Sequence, residues 1–179
     1  KGSIWIGYFG LFLGLGLGGK KYNMVEMVLA LIVAIFFLYL GIYVLNEPFD
    51  PASKKLPSIY FSDHWHWEPG ETLKPRREQW GGLLFALGWL IAYTGFIKKD
   101  LLARNMVLWG MLAGGLGFSI GQSVQAYHAW NVDWFQVGWL ASFEPNINWW
   151  NMMEITFGAI FGCVLALGLW CNRHHIATN

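Results

Sequence analysis

Charge is scarce in this chain of 179 residues. Asp, Glu, Lys and Arg make up 13% of it, about half the roughly 25% of an average soluble domain. With 12 Lys and Arg against 11 Asp and Glu, the net charge of +1 offers no field to attract a nucleic acid. Cysteine is nearly missing. Cys163 and Cys171 fall on one predicted helix, about 12 Å apart at 1.5 Å per residue, past the ~7 Å limit for a bridge. A disulfide scaffold is therefore excluded. The motifs of common enzymes are missing too: Gly-x-Ser-x-Gly, a phosphate loop, His-Glu-x-x-His and Cys-x-x-Cys do not occur. No motif specifies a cofactor. The chain opens Lys1-Gly2-Ser3-Ile4 with no initiator Met, and Lys20-Lys21 stand where a signal peptide would have small residues. The expectation is a piece of a longer chain.

What is abundant is apolar and aromatic: 55% hydrophobic residues, 18% Phe, Trp and Tyr, and a mean hydropathy of +0.38. Such a chain is neither disordered nor an ordinary soluble domain. Five stretches approach the 17–25 apolar residues that cross a hydrocarbon core of roughly 30 Å. They are 4–19, 24–45, 80–97, 106–126 and 149–170. Their apolar residues run continuously rather than alternating, which selects helices over barrel strands. The fold class is thus all-α, a multi-pass bundle of five spans in a lipid bilayer.

Between the spans, loop 47–79 is punctuated by Pro48, Pro51, Pro57, Pro69 and Pro75. Loop 127–148 has no Lys or Arg but holds Trp130, Trp134, Phe135, Trp139 and Phe143, rings that favour the headgroup level of a membrane. On a five-span topology these two loops share one face with Lys1. The positive-inside count ties: Lys1, Lys54, Lys55, Lys74, Arg76 and Arg77 on that face, Lys20, Lys21, Lys98, Lys99, Arg104 and Arg173 on the other. The second set sits in very short loops, which favours a cytoplasmic C-terminus.

Asn23-Met24-Val25-Glu26-Met27 is echoed by Asn151-Met152-Met153-Glu154-Ile155. Small residues follow each Glu at four and eight positions: Ala30 and Ala34, then Gly158 and Gly162. Each copy also follows a Gly-rich span. The echo implies an inverted repeat of spans one–two on spans four–five, a pattern common among transporters.

Glu26 and Glu154 are ionisable groups at span ends, and such groups inside a membrane are candidates for function. A carboxylate near a helix N-terminus is also favourable in itself. In the fourth span Gly110, Gly114, Gly117 and Gly121 fall within one sector, the pattern of close helix packing. Gln122, Gln125 and His128 extend that helix with polar groups that need partners. Asp63-His64-Trp65-His66-Trp67-Glu68 is the densest chemical cluster. If extended, it puts His64 and His66 on one face, with Asp63 as a further candidate metal ligand. The leading expectation is a non-enzymatic protein that binds or passes a small polar or amphipathic ligand. Its pocket would combine Glu154, His128, Gln125, Gln122, Asn151, Trp150, His64 and His66, with Glu26 as a further candidate. Two alternatives stand beside it. One is a structural subunit contacting other membrane subunits or a second copy; the other is a metalloenzyme built on His64 and His66.

Overall fold

The computed structural model describes residues 1–61 and 76–177. Among the described residues the chain is helical, with no strand. The helices are α1 (Gly2–Leu17), α2 (Met24–Leu45), α3 (Trp80–Ala92), α4 (Leu101–Trp130), the short α5 (Val132–Phe135) and α6 (Trp149–Cys171). A wider π turn, Tyr93–Ile97, continues α3. Among the described residues four helices are long and apolar enough to cross a membrane: α2, α3 with its π turn, α4 and α6. At 16 residues α1 is shorter, about 24 Å against the roughly 30 Å of hydrocarbon.

The helices α2 and α6 coincide with the apolar stretches 24–45 and 149–170 to within a residue, whereas α4 runs beyond the stretch 106–126 at both ends. That helix starts at Leu101, not near residue 106, because its interrupting polar residues find partners. Arg104 donates from Nε and Nη2 to Asn105 Oδ1 at 3.0 and 2.8 Å. Asn105 Nδ2 in turn donates to Asn172 Oδ1 at 2.7 Å. At its other end α4 absorbs the first residues of the expected aromatic loop and runs to Trp130. The rest of that loop is α5 and two 3₁₀ turns, Leu140–Ser142 and Glu144–Asn146.

The chain forms two compact units. The first comprises Lys1–Gly19 and the chain from Leu101; the second is Lys20–Asp100. In the first unit α4 is central, with α1 on one side and α6 on another. The glycine sector serves both neighbours. A methyl group at Gly110 or Gly114 would run into the α1 backbone, at Ile6 and Gly2 respectively. At Gly121 it would lie 2.8 Å from the Met153 carbonyl oxygen of α6, and at Gly117 the same distance from the Phe157 ring. In a bilayer, where lipid tails are as apolar as Leu, such close approach supplies the attraction between helices. Leu102, Met106, Ala113 and Leu165 form the buried centre, ringed by Ile6, Leu13, Trp109 and Phe161.

The second unit is the antiparallel pair α2 and α3. At one end Gly41 meets Gly81 backbone to backbone, and the Gly81 N–H donates to Asn46 Oδ1 at 2.9 Å. Buried Ala30 and Ala34 line the α2 side of the contact. The Trp89 indole N–H donates to the Ala30 carbonyl at 2.9 Å.

The Asn-Met-x-Glu echo occupies two different helical positions. Asn23 caps α2: its side chain accepts the Val25 N–H at 3.0 Å, and Glu26 reaches back to the Asn23 N–H at 3.3 Å, a capping box. In α6 the cap is Asn148, which accepts from the N–H groups of Trp150 and Asn151 at 3.0 and 3.3 Å. Asn151 is therefore inside the first turn. Ala30 and Ala34 are buried, whereas a methyl at Gly158 or Gly162 would meet nothing within 4 Å.

Candidate functional site

Of the expected site residues, Glu26 belongs to the second unit and Gln122, Gln125, His128, Trp150, Asn151 and Glu154 to the first. His64, His66, Asp63 and Glu68 lie outside the described residues. Among the described residues no group of three His, Cys, Asp or Glu side chains stands together to hold a metal. Gln122 and Asn151 are exposed and Gln125 is half-buried. The Trp150 indole N–H donates to Glu154 Oε1 at 2.8 Å, one turn along the exposed side of α6.

His128 is drawn into an aromatic cluster at the end of α4. Its ring stacks on Trp149, centroids 4.0 Å apart and planes 12° from parallel. Phe135 of α5 stands edge-on to both rings, at 5.0 and 4.9 Å. Glu144 Oε1 lies 3.3 Å from His128 Nε2, so a protonated imidazole has a carboxylate to pair with. These contacts fasten the aromatic segment 131–148 to the α4–α6 pair. The cluster acts as a clasp, and within it His128 Nε2 and Trp149 Nε1 are buried without a hydrogen-bond partner among the described residues.

A more open site lies in the second unit, at the end away from Gly41 and Gly81. It arises from the π turn. The Lys98 N–H donates to the Tyr93 carbonyl at 2.9 Å, a five-residue closure, while the Thr94 carbonyl accepts instead from the Asp100 N–H at 2.8 Å. Tyr93, Thr94 and Gly95 are all poorer helix formers than Ala or Leu, which favours a loosened last turn. Turns of this width are frequent at functional sites. Lys99 follows in the left-handed region, φ 51°.

The widened turn brings Lys98 over α2. Its Nζ donates to Glu26 Oε2 at 2.7 Å and lies 5.3 Å from the centre of the Tyr22 ring. The hydrogen bond to Glu26 raises the Lys98 pKa above its ordinary value. Tyr22 donates to Asp100 Oδ2 at 2.8 Å; burial first, and that carboxylate second, push its phenol up.

Between α2 and α3, directly below this ion pair, is a groove of about 260 Å³. Leu29, Ala30 and Val33 form one wall; Trp89, Tyr93 and Ile97 form the other, and Glu26 and Lys98 stand at the mouth. Its volume is under the roughly 300–1,000 Å³ of drug-sized pockets, so it suits a chain better than a ring system. One of its lining residues, Tyr93, carries an unmatched polar atom. The Tyr93 hydroxyl is buried and has no hydrogen-bond partner among the described residues. A buried hydroxyl left unpaired is costly, and native structures contain few of them.

Of this site the sequence marks Glu26 alone as a candidate. Lys98 is seventy-two positions away in the chain, and the weak helix formers Tyr93-Thr94-Gly95 were the local signal of a distorted turn. Comparison of the chain with protein-family models, with curated proteins and with solved structures finds no match.

Proposed function

We propose that this is a membrane protein that binds an amphipathic ligand in the groove between α2 and α3. The apolar part of the ligand lies along Leu29, Val33 and Ile97, and its polar end meets Tyr93, Glu26 and Lys98. The observation that carries this reading is the buried hydroxyl of Tyr93, a lining residue of a groove whose mouth is charged, which lacks a partner among the described residues. An amphiphile supplies what each part of the site needs. In this reading α1 is a fifth, shorter span and the C-terminus faces the cytoplasm.

Tyr93→Phe tests it, because the two readings of that hydroxyl have opposite signs. An unmatched hydroxyl weakens the empty protein, so its removal leaves the melting temperature unchanged or raises it. If a ligand answers the hydroxyl, the same change lowers ligand retention about two- to thirteenfold, the worth of one hydrogen bond of roughly 0.5–1.5 kcal/mol. Native mass spectrometry of the detergent-purified protein counts the retained lipids, and a thermal melt gives the stability. Unchanged retention in Tyr93→Phe refutes the proposal.

A second reading, a subunit of a larger membrane assembly, is favoured by the open side of α6. Gly158 and Gly162 there have room for a neighbouring helix, in the Gly-x-x-x-Gly spacing that brings two backbones together.

A further inference from the structure

Resting on the groove reading, we infer that the amphiphile is an anionic phospholipid, its acyl chain in the groove and its phosphate among the lysines at the mouth. The charges at this end of the second unit are unequal. Lys20, Lys21, Lys98 and Lys99 all lie in the two connections that meet there, between α1 and α2 and between the π turn and α4. Both acids at that end are already engaged. Glu26 is held by the Asn23 N–H and by Lys98. Asp100 is 2% exposed and accepts from the Tyr22 hydroxyl. Lys20, Lys21 and Lys99 are exposed and make no ion pair among the described residues.

The end of the second unit at which the groove opens therefore carries a positive excess, with Lys98 at the mouth itself. A headgroup phosphate placed there is attracted by the free lysines and can take the Tyr93 hydroxyl as donor. Basic pockets at the ends of membrane helices recognise anionic headgroups in this way. A zwitterionic headgroup brings its own ammonium to the same lysines and gains less.

The full chain, purified in detergent and stripped of lipid, is titrated with dioleoyl phosphatidylglycerol or dioleoyl phosphatidylcholine and read by native mass spectrometry. The expected result is at least about 10-fold tighter binding of phosphatidylglycerol, a preference that shrinks as salt screens the lysines. The triple change Lys20→Gln, Lys21→Gln, Lys99→Gln leaves the Glu26–Lys98 pair intact and should bring phosphatidylglycerol down to the level of phosphatidylcholine. Leu29→Trp fills the groove from an exposed position and should weaken both lipids. Circular dichroism and a thermal melt check that each variant folds.

Equal binding of the two lipids by the unaltered chain, both weakened by Leu29→Trp, overturns the headgroup assignment and leaves the groove reading standing. A phosphatidylglycerol preference that survives the triple change overturns the role of the lysines. Binding of both lipids untouched by Leu29→Trp overturns the groove reading and this inference with it.

Discussion

Two glycine-to-alanine changes, Gly110→Ala on α4 and Gly158→Ala on α6, should move stability in opposite directions. Both replace a helical Gly with the best helix former, a gain of up to about 1 kcal/mol. They differ in what the new methyl meets. At Gly158 there is nothing within 4 Å, so the propensity gain stands alone. At Gly110 the methyl is driven into the Ile6 carbonyl, with the Gly7 Cα only 3.2 Å away. Those are backbone atoms, which cannot rotate aside, so α1 and α4 must separate along their whole contact. Overpacking of this kind costs about 1–3 kcal/mol, and set against the propensity gain it leaves a net loss of up to about 2 kcal/mol. That is a shift of about 30-fold in the folding equilibrium. Denaturation in mixed micelles by increasing detergent, followed by tryptophan fluorescence, measures both variants against the parent. If Gly110→Ala is as stable as Gly158→Ala, α1 and α4 do not approach through their glycines, and the account of the first unit fails.

Asn148→Ala removes the side chain that accepts two N–H groups at the start of α6, and should cost about 1 kcal/mol in the same denaturation. The ionic contacts predict both limbs of a stability–pH profile. Lys98 has its pKa raised above 10.5 by Glu26, so its contribution is complete below that value and is lost as pH rises through the higher folded-state pKa. Glu47 is lowered below 4.5 by the Phe49 N–H and then by Arg77, so its contribution holds above 4.5 and is lost as pH falls through the lower folded-state value. Melting temperatures of Lys98→Met and Glu47→Gln across pH test this. Each variant should flatten its own limb and leave the other unchanged.

How far the sequence is legible depends on the range of the forces involved. The α2 span can be read to its ends because its apolar run is uninterrupted and Asn23 and Glu26 mark its start within four residues. The glycine line of α4 is legible as a packing surface, but not as one shared between two helices, since nothing local tells α1 from α6. Arg104 and Asn105 look like a loop until Asn172, 67 positions away in the chain, answers the Asn105 amide. The site was less readable. His128 was expected to open onto a pocket, and whether Trp149, Phe135 or a ligand would meet its ring depends on how segment 131–148 folds back. The groove needs a helix that departs from its regular period, and hydropathy averages over that departure.

The length of α4 carries a consequence for the surroundings. Thirty residues rise about 45 Å, while a hydrocarbon layer of about 30 Å takes up some twenty. If the Leu101 end rests at one interface, the last ten or so residues, with Gln122, Ser123, Gln125 and His128, stand clear of the acyl chains. The surplus is a sliding allowance. A bilayer thickened by a few ångströms first covers Gly121 and the backbone around it, and only then the amides of Gln122 and Gln125. The clasp at His128 is farthest from the hydrocarbon and should keep its shape through changes of membrane thickness that a helix cut to the minimum length would have to meet by tilting.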